Sequence, residues 1–344
     1  MSVGGRLDLK HGRVDMTHGG GGRAMARLID GVFRDAFANP RLAAGNDAAA
    51  FDWPGGRTVM TTDSYVVSPL AFPGGDIGAL AVNGTVNDLA TAGAVPVYLS
   101  AGFVLEEGLP LAALCGYVHS MARAAEAAGV EIVTGDTKVV ERGKADGLYI
   151  NTAGIGRVPD GVGPSCDRAR PGDKLLVSGP LGDHGVAILS ARADLALDAG
   201  IVSDTAALNG LVAEMVAAAP DVRVLRDLTR GGLAAACNEL AQASGVGMTL
   251  DQAALPVRRE VAAACEVLGL DPVHVANEGR LLAIAAPGDA DALLAAMRAH
   301  PLGREAALVG EVTDDDRRLV EMRTTFGGRR LVDWLNGEQL PRIC

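Results

Sequence analysis

Val133-Thr-Gly-Asp-Thr-Lys-Val-Val140 opens as a β-branched run and then turns at Gly135 into a segment that carries an aspartate and a lysine. Residues 131–134 read as a strand, because Ile132, Val133 and Thr134 suit a pleated, half-buried surface. Just upstream, 110–128 repeats apolar residues at helical spacing and 97–104 reads as another strand, so the stretch closes a strand-helix-strand unit. Downstream, 148–155 adds a further strand. Such a unit buries one sheet face under helices, which sets the fold class as α/β.

Working outward, a helix is expected at 76–91 and strand-like runs at 48–51 and 58–61. Before them, glycines 19–22 lead into Met25, Leu28, Ile29, Val32, Phe33 and Phe37 at helical spacing, ended by Asn39-Pro40. The Pro/Gly-rich stretch 158–171 reads as an interdomain connection. Beyond it the alternation resumes, with strands at 174–178, 247–251, 281–285, 307–312 and 318–322. Helices are expected at 185–192, 205–218, 231–243, 258–268 and 289–300. The fold is thus mixed α+β with two sandwich-like domains. An N-terminal glycine-rich arm and helix (1–42) precede a first domain (43–160), a second α/β domain (161–316), and a C-terminal segment and flexible tail (317–344).

Composition narrows the function. A chain of 344 residues, 49% hydrophobic and 21% charged, is globular, and 3% aromatic residues with 45 glycines imply an aliphatic core with backbone-lined turns. The net charge of -11 offers no basic stripe, so nucleic acid is not an expected partner. No apolar run is long enough for a membrane span and the start lacks a signal-peptide core, which gives a cytoplasmic expectation. Cysteines 115, 166, 237, 265 and 344 are odd in number and contain no CxxC pair, against a disulfide framework or a zinc ribbon. Cys115, Cys237 and Cys265 fall in helical patterns as small core residues, whereas Cys344 ends the chain.

Carboxylates gather at strand ends and turns. Asp47, Asp63 and Asp136 flank strand-like runs, and Asn87-Asp88 sits on a helix that can face the same crevice. Converged carboxylates repel unless a cation neutralises them, and hard oxygen donors favour Mg²⁺. Each aspartate, Asp76 included, is alone an ordinary cap or turn residue. Gly19, Gly20, Gly21 and Gly22 before a helix can present N–H groups to phosphate. No Walker Gly-Lys-Ser/Thr occurs, so a nucleotide would be held through metal-bridged carboxylates. Lys138 is a cation able to meet a phosphate or, with a lowered pKa, to act as a base.

Together, His18-Gly-Gly-Gly-Gly22, Asn46-Asp-Ala48, Thr61-Thr-Asp-Ser64, Phe72-Pro-Gly-Gly-Asp-Ile-Gly78, Asn83-Gly-Thr-Val-Asn-Asp-Leu-Ala90, Val133-Thr-Gly-Asp-Thr-Lys-Val-Val140, Gly182-Asp-His-Gly185, Asp227-Leu-Thr-Arg-Gly-Gly232, Asn277-Glu-Gly279 and Pro341-Arg-Ile-Cys344 resemble the HypE family of hydrogenase-maturation carbamoyl dehydratases. The internal motifs alone resemble the wider aminoimidazole-ribonucleotide-synthetase-like ATP-binding superfamily, which also includes selenophosphate synthetases and thiamine-phosphate kinases. The closing Pro-Arg-Ile-Cys separates the family from these.

The resemblance implies two PurM-like domains, a homodimer paired through the first domain, ATP and Mg²⁺ as cofactors, and an S-carboxamide on Cys344 dehydrated to an S-cyanate. It implies a HypF-type carbamoyltransferase as donor and a HypC–HypD-type complex as cyanide acceptor. Asp47, Asp63, Asp88 and Asp136 would hold the metal. The glycines 19–22, those four aspartates, Asn87 and Thr137 would hold the nucleotide. Cys344, Lys138 and Glu278 would be catalytic, and Arg230 and His184 are weaker candidates for nucleotide contact. A thiol carrier whose nucleotide only gates conformation is the rival reading of another class.

Overall fold

Met25, Leu28, Val32 and Phe33 share a helix face, and the chain winds there as expected. Helix α1 (Arg23–Leu28) runs into a wider π-helical turn (Ile29–Arg34) that buries Val32 and Phe33, and a short α2 (Pro40–Ala43) follows. The structure is a computed structural model and describes residues 7–20, 22–43, 48–53, 55–192 and 200–334. Gly21, Asp47, Cys344 and the expected tail beyond residue 334 lie outside the described residues.

The first domain comprises β1 (Thr58–Tyr65), β2 (Ala71–Phe72), β3 (Gly75–Asp76), α3 (Ile77–Thr91), β4 (Val95–Glu106), α4 (Leu111–Ala128), β5 (Glu131–Val140) and β6 (Leu148–Arg157). Its four-stranded sheet has the order β1-β6-β4-β5, with β4 and β5 parallel across the α4 crossover. Helices α3 and α4 cover one face. Leu80, Val86, Leu114, Val118 and Met121 are fully buried there, and each contributes about 1.5–3 kcal/mol by leaving water. Gly129 ends α4 at φ +70, a left-handed cap that a Cβ would strain. Along β1 the side chains alternate. Thr61, Asp63 and Tyr65 turn toward the helices, and Met60 points the other way, 71% exposed.

The strand expected to stop at residue 134 continues to Val140. Strand β4 is long enough to supply ladder partners as far as Glu106 opposite Val140, and Thr137, Val139 and Val140 are β-branched. Asp136 and Lys138 are therefore strand residues, not turn residues. Residues 48–51, by contrast, form no strand.

The second domain comprises β7 (Lys174–Val177), α5 (Asp183–Ser190), α6 (Asn209–Ala218), β8 (Val224–Asp227), α7 (Gly232–Ser244), β9 (Gly247–Asp251), α8 (Arg259–Leu268), β10 (Leu281–Ala285), α9 (Ala290–Ala299), β11 (Ala307–Thr313), β12 (Val320–Arg323) and β13 (Arg329–Leu331). The sheet order is β13-β12-β9-β11-β7-β10-β8, antiparallel except where β12 runs parallel to β9. Strand β10 is buried along its whole length, as its Leu-Leu-Ala-Ile-Ala run requires. The segment from 317 is not separate from this domain, since it supplies β12 and β13. Val332 is buried at 1% exposure with its N–H on the Val320 carbonyl. Among the described residues no helix is long and apolar enough to cross a membrane.

Helix α3 stands where the domains meet. Asn83 Nδ2 donates to Thr205 Oγ1 at 3.1 Å, Asn87 Nδ2 donates to the Ala206 carbonyl at 3.0 Å, and the Leu208 N–H donates to Asn87 Oδ1 at 2.7 Å. This junction carries the acidic cluster.

Candidate active site

Asp76 is a cap. Its Oδ1 accepts from the Gly78 and Ala79 N–H groups at 2.9 and 3.0 Å and starts α3. Three turns along, the same helix delivers Asn87 and Asp88 to the domain junction. Asp88 Oδ2 accepts from Thr61 Oγ1 at 2.8 Å, which ties α3 to β1 next to Asp63. Burial raises the Asp88 pKa, the Thr61 bond opposes this, and the nearby Asp63 charge raises it further. At the end of β8, desolvation followed by Asp88 pushes Asp227 up to about 6. Glu278, 3% exposed, is raised well above the usual carboxylate range by burial, then by Asp227, Asp204 and Asp63, while Arg230 opposes. Its Oε1 is buried and makes no hydrogen bond among the described residues.

Asp63, Asp88 and Glu278 are thus brought together, and Asp227 joins them. Asn87 arrives in the same place with its amide committed to the backbone of the second domain, including the Glu278 carbonyl at 3.3 Å. Arg230 lies within electrostatic reach of Asp88 and Glu278. His184 is fully buried, its Nδ1 2.7 Å from Ser203 Oγ and its ring edge-on to Phe72, so its imidazole is packed into the structure and not presented to a ligand.

Asp136, Thr137 and Lys138 lie elsewhere. They sit on β5, the opposite edge of the four-stranded sheet from β1. Three strand spacings separate the edges, roughly 14 Å. Lys138 Nζ is 3.0 and 2.9 Å from the two Asp136 carboxylate oxygens, and this contact, with the Thr137 N–H, holds the Asp136 pKa below its ordinary value. Thr137 is buried. The glycine arm packs here too, since a Cβ on Gly19 would meet Val139 Cβ at 2.9 Å. Gly20 and Gly22 follow it into α1. Between that helix and β5 lies a cavity of about 470 Å³ lined by Met25, Ile29, Phe33, Phe37, Val133 and Asp136.

Among the described residues no three acidic, histidine or cysteine side chains are arranged to hold a metal ion. The four expected metal ligands do not assemble in one chain: Asp136 is at the far sheet edge and Asp47 lies outside the described residues. Asp63 and Asp88 remain as a neighbouring pair. That donor set suits Mg²⁺, which takes one or two carboxylates together with phosphate oxygens.

Two residues of this junction carried no sequence assignment. Asp227 stands inside a motif read for its arginine, and Asp204 lies in Val202-Ser-Asp-Thr205, where nothing in the spacing marks it.

The chain matches the AIR synthase related protein N-terminal domain over residues 45–158 and the corresponding C-terminal domain over residues 170–322, so it is built of two PurM-like domains. Carbamoyl dehydratase HypE of Rhizobium leguminosarum bv. viciae is 62% identical over 340 residues, covering 98% of this chain and 97% of that protein. A crystal structure of hydrogenase maturation protein HypE in complex with ATP superposes with a TM-score of 0.92 at 50% identity, covering 96% of this chain and 99% of the other. A HypE–HypF complex matches at 47% identity with a TM-score of 0.79, covering 90% and 99%. The chain belongs to the HypE family.

Proposed function

We propose that the chain uses ATP to dehydrate an S-carboxamide on its own Cys344 to an S-cyanate, the cyanide source for the iron of a nickel-iron hydrogenase. A HypF-type carbamoyltransferase loads the thiol and a HypC–HypD-type complex accepts the cyano group. The observation that carries the reading is Glu278, a buried carboxyl with one unpartnered oxygen within electrostatic reach of Asp227, Asp204 and Asp63.

An amide does not lose water readily, because oxide is a poor leaving group. Transfer of the ATP γ-phosphoryl to the carboxamide oxygen converts that group into phosphate. Loss of phosphate with both nitrogen protons then leaves the nitrile. A carboxylate whose proton affinity has been raised by burial is a strong acceptor once ionised, which suits Glu278 to the amide protons. Asp63 and Asp88 would hold Mg²⁺, which neutralises charge on the transferring phosphoryl group when bound. Lys138, paired with Asp136 on β5, serves as an electrostatic clamp for phosphate or as the second base. The cavity between the N-terminal helix and β5, with both apolar and polar lining residues, has room for a nucleoside.

These two halves lie on opposite sheet edges of one chain, and this supports a homodimer. Pairing two partly bare sheets, each with Met60 exposed, sets β1 of one copy near β5 of the other. Full-length protein incubated with carbamoyl phosphate, carbamoyltransferase and ATP is expected to gain the mass of one carbamoyl group at Cys344 and then lose one water. Lys138→Met and Glu278→Gln are each expected to slow the water loss at least about tenfold. Mixed and re-equilibrated, the two variants should recover activity, because half-mixed dimers contain one intact site. An unchanged rate in Glu278→Gln rules out the base assignment, and absence of recovery rules out the shared site.

A further inference from the structure

We infer that Asp204 is a positioning residue for Glu278, an inference that rests on the reading of Glu278 as the base. Glu278 lies in irregular chain just before β10, so neither a helix nor a sheet ladder fixes its backbone. Asp204 does so instead. Its Oδ1 accepts the Glu278 N–H at 3.0 Å. The Asp204 carbonyl oxygen would lie 1.8 Å from a Cβ on the next residue, Gly279, so only glycine allows the two segments to touch. Arg280, one residue further, faces Asp204 Oδ2 with its Nε across 3.5 Å. Three consecutive residues, Glu278, Gly279 and Arg280, are therefore registered against one aspartate.

That aspartate cannot shift to relieve strain. Its side chain is 1% exposed, and Arg280 is itself tied to the Pro180 and Leu302 carbonyls at 3.2 and 3.3 Å. The loop around Asp204 is pinned to the first domain on both sides. The Ser203 N–H donates to the Pro73 carbonyl at 2.7 Å, and Thr205 Oγ1 accepts from Asn83. From the other side of Glu278, its carbonyl accepts from Asn87 Nδ2 at 3.3 Å and the Ala206 N–H at 3.4 Å. The direction of the unpartnered Glu278 oxygen is thereby set by the packing of one domain on the other, through Asp204. Placing a second carboxylate beside a buried glutamate is unfavourable electrostatically.

The test uses full-length carbamoylated protein and three readouts: single-turnover water loss at saturating ATP by intact mass, ATP affinity by calorimetry, and Tm. Asp204→Ala is expected to slow turnover about ten- to a hundredfold while ATP affinity stays within about twofold, as displacing a reacting group without changing substrate binding should do. Asp204→Asn keeps an oxygen for the Glu278 N–H and is expected to restore the rate lost in Asp204→Ala. The double variant Asp204→Ala/Glu278→Gln should be no slower than Glu278→Gln alone, because residues acting as a unit are not additive. A wild-type rate in Asp204→Ala, multiplying losses in the double variant, or an Asp204→Asn as slow as the alanine overturns the inference. If the alanine variant does not fold, a folded but slow Asp204→Asn overturns it equally. A wild-type rate in Glu278→Gln removes the base reading itself, which Asp204→Ala alone cannot do.

Discussion

At the scale of single residues, Asp88, Asp227 and Glu278 share one predicament: each carboxyl is desolvated and each has another acid for a neighbour. For Asp227 this lifts the pKa from 3.8 to about 6. The folded state then binds this proton more tightly than the unfolded chain, so the associated stability is present at low pH and is lost as pH rises through about 6. Asp227→Asn is expected to raise Tm by about 2–4 °C near pH 8 and to change it little below about pH 4. Thermal melts across that range check the sign, and a loss of Tm at pH 8 contradicts it. Residue chemistry was only partly legible in the chain. The sequence singles out Asp63 and Asp88 as carboxylates at a strand end and on a helix, and Glu278 only through the resemblance that its Asn-Glu-Gly motif carries. It leaves Asp204 and Asp227 unmarked, because their importance comes from which residues of the other domain they meet. Lys138 was readable as a cation, but its pairing with Asp136 depends on both side chains leaving the same strand face two residues apart.

Among the elements, α3 and β1 fit together only because Gly84 has no side chain. A Cβ there would sit 2.2 Å from the Tyr65 hydroxyl, while the ring carbon behind it is 3.1 Å away. Gly84→Ala is expected to destabilise the protein by at least about 1–3 kcal/mol through overpacking, and Tyr65→Phe should relieve much of that cost. Chemical denaturation of the two single variants and the double variant measures the coupling, and simple additivity would show the contact to be slack. Helices are the most legible elements, since long apolar stretches with a cap such as Asp76 or a terminal Gly129 state their ends. Strands at sheet edges were hardest. Strands β8 and β13 are short, and β13 carries two arginines, so neither shows a clean alternation. The extension of β5 could not be read from β5 alone, because its last residues pair with a strand lying some 30 residues earlier in the chain.

For the molecule as a whole, the division into two domains was legible in the sequence. The separation of Asp63 from Asp136 was not, since it follows from strand order. That order leaves Asp136, Thr137 and Lys138 and the acidic junction on opposite edges of one sheet. The three hydrogen bonds of Asn87 to the chain around Ala206, Leu208 and Glu278 have a mechanical meaning as well. A hinge between the domains would have to break all of them, together with the Asn83 to Thr205 bond, in a buried setting where no water replaces them. The two domains are therefore expected to move as one rigid body. ATP is expected to leave the radius of gyration of the folded protein unchanged in small-angle scattering and to slow amide hydrogen exchange only near its own binding site. A contraction on adding ATP would show that these bonds break and the domains close. If the domains do not close, the thiocarbamate proposed on Cys344 has to be kept from water by smaller covers, and the fold works as a fixed anvil onto which the proposed substrate is brought.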